Sequence, residues 1–198
     1  VSGGIGGSSI YNQLFYPDEL FTTGDAIAQT FFSSVPYTVP LGKRLYILSM
    51  RSASGNVTVD GSTVAGFVSY SNDNLSQPLI LDEGQELRGS TGGFSGVLVN
   101  MNSNFDAIAQ TFFGSVPYTV PLGKRLYILS MRSASGNVTV DGSTVAGFVS
   151  YSNDNLSQPL ILDEGQELRG STGGFSGILV DENYFSSLNG GGGGSSSS

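Results

Sequence analysis

The sequence predicts an all-β protein: two tandem antiparallel β-sandwich modules of jelly-roll-like form, with Gly/Ser-rich termini. Three observations carry that prediction. The segment Asp25 to Val99 returns as Asp106 to Val180 at a constant offset of 81 positions. Only two of its 75 columns differ, Ser33 against Gly114 and Val97 against Ile178. A fixed period of this kind means one structural unit used twice. Within each unit, short runs rich in Val, Ile, Thr, Tyr and Phe alternate with clusters of Gly, Pro, Asn and Ser, which is strand-and-turn punctuation. Finally, no window carries a sustained helical period.

The chain divides accordingly. Residues 1–24 form a leader, 25–99 the first module, 100–105 a short stiff joint, 106–180 the second module and 181–198 a tail. The tail ends in flexible-linker composition, Gly190 to Ser198. In the first module strands are expected at Ala26–Phe32, Tyr37–Val39, Arg44–Arg51, Asn56–Asp60, Thr63–Tyr70, Pro78–Leu81, Gln85–Arg88 and Phe94–Val99. Between them, Leu41-Gly42 and Glu83-Gly84 read as turns. Asp60-Gly61 lies between two apolar alternations, the signature of a type I′ hairpin turn with positive φ at both central residues. Eight short strands in about 75 residues fit a small sandwich or jelly roll.

Alternation indicates which faces are covered. In "NVTVD", Val57 and Val59 point one way and Asn56, Thr58 and Asp60 the other, so that strand has one wet face. "LYILSM" differs: Leu45 and Ile47 line one face, and Tyr46, Leu48 and Met50 the other, so both are apolar. Only one face of an antiparallel sandwich should meet its core. The second face needs cover from a loop or from a subunit interface. Tyr46, Leu48 and Met50, with their copies Tyr127, Leu129 and Met131, are therefore candidate oligomer contacts. A module this small buries only about 60–65% of its unfolded surface and is marginal alone, which also points to support from a neighbour.

The same question arises for the leader. Tyr11, Leu14, Phe15, Tyr16, Leu20 and Phe21 lie outside both modules. They either cap the first module of their own chain or dock on another subunit, for example as an added strand.

The chemistry that is missing narrows the function. There is no His and no Cys, which removes disulfides, the usual zinc sites and the Ser-His and Cys-His nucleophile pairs. Around Ser95, "GGFSGVLV" is not a nucleophile elbow, because Val97 stands where that motif needs Gly. Asp82 and Glu83 are adjacent, so on a strand they would face opposite ways and not converge as a glycosidase pair. "SNDN", Ser71 to Asn74, lacks calcium-loop spacing and reads as a turn. No glycine-rich loop leads into a helix, so no nucleotide site is implied. Neither an enzyme nor a cofactor is expected. The sequons at Asn56 and Asn74 matter only in a eukaryotic secretory route.

The net charge is −8, with each module contributing −2, and no basic patch argues for nucleic acid. Nothing is long and apolar enough to span a bilayer as a helix. The chain starts at Val1 with no signal peptide, either because a leader was removed on export or because the numbering begins inside a longer product.

At "YTVPLGKRLYILSM", "NVTVDGSTV" and "PLILDEGQELRGSTGGFSGVLV" each module resembles small β-sandwich repeats of phage fibres and spikes and of some secreted bacterial surface proteins. The likeness covers both modules but neither leader nor tail, and its motifs are structural. It implies modules that trimerise or stack end to end and carry no reaction. The expected function is a structural subunit of an extracellular appendage or a virion fibre or spike, whose partners are copies of itself or another component of the assembly. The alternative is an adhesin or lectin-like module binding a cell-surface glycan or receptor, with two copies for avidity.

Overall fold

The computed structural model describes residues 24–32, 34–52, 55–67, 72–73, 75, 77–101, 105–113, 116–133, 136–148 and 153–182. All the regular structure in them is β. The first module holds β1 (Asp25–Phe32), β2 (Tyr37–Thr38), β3 (Lys43–Ser52), β4 (Gly55–Val59), β5 (Ser62–Phe67), β6 (Asn72–Asp73), β7 (Leu79–Leu81), β8 (Glu86–Arg88) and β9 (Thr91–Asn100). In the second module follow β10 (Asp106–Phe113), β11 (Tyr118–Thr119), β12 (Lys124–Ser133), β13 (Gly136–Val140), β14 (Ser143–Phe148), β15 (Asn153–Leu162), β16 (Glu167–Arg169) and β17 (Thr172–Asp181). Each of the eight strands expected in the first module has a counterpart here, with ends shifted by a few residues.

Strand order makes each module a jelly roll. One sheet runs β1-β9-β3, with β6 and β7 sharing the far edge of β3; the other runs β2-β8-β4-β5. The second module repeats this as β10-β17-β12-β15 and β11-β16-β13-β14. The pairings among described strands are antiparallel. The first strand pairs with the last along the whole of β1, Asp25 with Leu98 through Phe32 with Thr91. In each module two sheets therefore face one another around one core, the double-sheet solution to unpaired edges. That core centres on Phe31, Leu45, Ile47, Leu81 and Leu87 in the first module, and on Phe112, Leu126, Ile128, Leu162 and Leu168 in the second.

The turns follow their chemistry. Asp60 and Gly61 have φ of 49° and 81°, and Asp141 and Gly142 repeat those values. This is the type I′ hairpin expected from the sequence. At Leu41-Gly42, Lys43 N–H donates to Pro40 O at 3.1 Å, and Gly42 has φ 72°. Positive φ at the third residue is what a type II turn requires. Because a β-branched side chain resists positive φ, Gly61→Val is expected to cost about 1 kcal/mol or more. Thermal melting would register that as a fall of about 2–4 °C per kcal/mol. An unchanged midpoint would mean the turn does not constrain the hairpin.

One expectation about facing is corrected. Pairing between β3 and β9 shifts register between Ile47 and Ser49, leaving Leu48 as an extra bulged residue. After a bulge the side-chain alternation is reset. Met50 therefore turns inward and joins Leu45 and Ile47 in the first core, and Met131 likewise joins the second. Neither methionine lies on an outer face. A second correction concerns the Asn/Asp-rich stretch. In the second module Asn153 and Asp154 belong to β15, paired with Arg132 and Met131, rather than to a turn.

Candidate functional site: the contact between modules

What covers the outer face of β3 is the other module of the same chain. Tyr46, Ile80 and Val99 of the first module cluster with Phe105, Tyr127, Leu129, Ile178 and Val180, all of them buried. Tyr46, Tyr127 and Leu129 are each 1% exposed. As candidate contacts between chains they are thus corrected: their cover is intramolecular. Leu48 is half-buried on the first module's outer face. The remaining candidates, Tyr11, Leu14, Phe15, Tyr16, Leu20 and Phe21, lie outside the described residues, as does the tail beyond 182.

The two modules meet through patches that are alike only in part. From the first module come β5 and β7, the edges of its two sheets, together with Tyr46, Val97 and Val99 on the outer face of β3 and β9; from the second comes the outer face of β10, β17 and β12, where Tyr127, Ile178 and Val180 are the copies of those three. β5 lies so close over β17 that a Cβ at Gly174 would run into Thr63 O. Only glycine permits that approach. Ser130 Oγ donates to Val64 O at 3.1 Å, and Arg132 Nη1 donates to Asn56 Oδ1. Val64 is the bulged residue of β5, which turns it toward the neighbour and leaves it 2% exposed. Ser176 is buried, its hydroxyl without a hydrogen-bond partner among the described residues.

A clamp holds the joint. Arg44 is 1% exposed. Its Nε donates to Asp82 Oδ1 at 2.5 Å and its Nη2 to Phe105 O at 2.5 Å. Its guanidinium lies over the Phe105 ring, 3.7 Å from the centroid. Asp82 Oδ2 accepts Ala107 N–H at 2.7 Å. The end of the joint is thus pinned by a cation, an anion and a ring at once. The same pair in the second module, Arg125 Nε to Asp163 Oδ1 at 2.6 Å, is open to solvent, with side-chain exposures of 32% and 59%.

Loop-end carboxylates brace turns. Asp60 Oδ1 accepts Glu86 N–H at 2.9 Å and Oδ2 accepts from Gln85 at 3.0 Å. Glu83 accepts Gly42 N–H at 2.5 Å, so Asp82 and Glu83 serve different partners and do not converge. The copy of Asp60, Asp141, is held below the ordinary carboxylate range by the Glu167 N–H bond and then by the Gln166 amide. Other shifts also lead away from neutrality. Burial raises Tyr37 and pushes Tyr118 up to about 12. Bonds to Asp181 and Asp163 raise Lys124 and Arg125. Among the described residues no group of three His, Cys, Asp or Glu is gathered as a metal site. No helix there is long and apolar enough to cross a membrane, which says nothing of a β-barrel.

No family model and no curated protein matches the sequence. Among solved structures the chain is similar to the conserved protein of unknown function PA5104 from Pseudomonas aeruginosa PAO1, at 11% identity over 79% of each chain. The TM-score is 0.30, too low to argue from.

Proposed function

We propose that this chain is a non-enzymatic structural subunit, assembling through its β-sandwich modules into an extracellular appendage or a virion fibre or spike. The observation that carries the reading is the contact between the modules. One sequence, used twice, packs against itself through an apolar cluster, a glycine-permitted close approach and a buried Arg44–Asp82 clamp. A duplicated unit with a built contact extends length and contact number, as in other repeat architectures. The commitment of Asp60, Asp82 and Glu83 to turns and joint favours this over a glycan- or receptor-binding module, which would keep polar groups free at the loop end. Titrating groups displaced away from neutrality are likewise poor material for acid–base chemistry.

Native mass tests the reading. Sedimentation of the full chain at micromolar concentration, with negative staining of the same sample, is expected to show particles of several chains. A monodisperse, heat-stable species of 20.6 kDa would end it.

A further inference from the structure

The clamp on the joint has a copy in the second module that no described residue completes. Around Arg44 the clamp grips a short stretch of backbone. Nη2 donates to Phe105 O, the Phe105 ring lies on the guanidinium, and Asp82 Oδ2 accepts the N–H of Ala107, two residues further on. Arg125 and Asp163 keep the central ion pair at 2.6 Å but stay open to solvent, and among the described residues no ring lies over Arg125. Such a pair is built to receive an aromatic residue in extended chain, by its ring, its carbonyl and the amide two places on. The chain leads a segment of that kind toward it. Joint and tail leave their modules along one path: Met101 N–H donates to Gly42 O at 2.9 Å, and its copy Glu182 N–H donates to Gly123 O at 3.0 Å. Arg44 pairs with Val99 and Arg125 with Val180, so each arginine lies beside the strand end from which joint or tail departs. Lys124 Nζ, 2.9 Å from Asp181 Oδ1, holds the start of the tail. The joint then returns Phe105 over Arg44, four residues after Met101. In the tail Phe185 follows Glu182 by three residues.

We propose that Phe185, from the chain's own tail, completes this second clamp. Its ring stacks on Arg125, its carbonyl accepts from the guanidinium, and the Ser187 N–H donates to Asp163, as Phe105 and Ala107 serve Arg44 and Asp82. Three residues of extended chain reach about 10 Å, enough for a segment that starts beside its arginine. By strict offset Ser186 stands where Phe105 does, so the tail closes one residue sooner than the joint. Phe105 leads directly into β10, which fixes it in place, whereas Phe185 leads into Ser186, Ser187 and the Gly/Ser run. The second clamp is therefore the weaker of the two, a cap that opens and recloses. It gives the last module of the chain a finished end, as terminal units of repeat proteins have. The cap does not depend on the structural-subunit reading and holds equally in a single chain.

A single fluorophore provides the test. The chain has no Trp, so Phe185→Trp puts one indole at the contact and keeps a ring that stacks well on a guanidinium. In the full chain that indole is expected to be quenched by acrylamide about threefold more slowly than in the same chain carrying Arg125→Ala, the protection that a stacked pair at the surface provides. Circular dichroism confirms that each is folded; should Arg125→Ala fail to fold, Asp163→Ala, which releases the guanidinium from its anchor, is expected to raise quenching in its place. Arg169→Ala, at another exposed ion pair, should leave quenching unchanged. Protection should also persist on dilution of the chain, since ring and arginine belong to one molecule. Equal quenching with and without Arg125 would overturn the second clamp. Protection lost on dilution would mean that the ring comes from another copy, and would overturn the cap. Neither result bears on native mass, so the structural-subunit reading stands or falls separately.

Discussion

Arg44→Ala will destabilise the chain by about 3 kcal/mol, while the same change at Arg125 will cost about 0–1 kcal/mol. The two arginines occupy identical positions in near-identical modules, so propensity and local sequence cancel. Only environment differs. Arg44 has 2% side-chain exposure beside Asp82 at 17%. Removing the cation leaves that carboxylate poorly compensated, leaves Phe105 O without its donor and removes the charge over the ring. The estimate sits at the low end for a broken buried pair because Asp82 keeps some water. Arg125 and Asp163 are solvated and screened, and water replaces either partner. By calorimetry the first variant should melt about 6–12 °C lower and the second within a few degrees of the unaltered chain. Equal shifts would show that the joint is not clamped through Asp82.

That asymmetry was not legible in the sequence, whereas the modules themselves were. Strand positions could be read because period-2 alternation and turn residues are local properties, written within a few positions of where they act. The Asp60-Gly61 hairpin was readable because positive φ at two successive residues restricts the choice of side chain. The bulge at Leu48 was not, since nothing in "LYILSM" marks the residue that will lose its partner. Counting without it placed Met50 outside. The cover over Tyr46 was half legible. A two-sided apolar strand implied a neighbour, but a repeated sequence gives both modules the same surface and cannot say which patch of one meets which patch of the other. Glycine spacing in "TGGFSG" held a hint, because Gly174 is needed for an approach across modules that Gly93 does not experience within the chain.

The last expected result concerns the cores. Phe31→Ala should cost about 3–5 kcal/mol, the range for a buried aromatic ring. Phe31 is fully buried and stacked on Phe94, with centroids 6.5 Å apart. Its ring occupies space made by glycines. A Cβ at Gly89 would fall on ring atom Cε2, with Cδ2 at 3.2 Å and Val57 Cγ2 at 3.4 Å the next neighbours. Gly89→Ala alone should therefore cost about 1–3 kcal/mol by overpacking. In the Phe31→Ala background the obstruction is gone and the added methyl enters the void. The double variant should then be about 0.5–3 kcal/mol more stable than the sum of the singles predicts. Gly92→Ala is the control. Its Cβ meets the same ring at Cζ, 2.6 Å away, but also Arg51 O at 2.6 Å, a backbone atom that ring removal does not move. No comparable relief is expected there. Phe112 with Gly170 repeats the arrangement in the second module. Denaturant titration of the four variants of each cycle decides it. Additive costs at Gly89 would mean the sheets re-space around the lost ring, and that the glycine is not there to admit it.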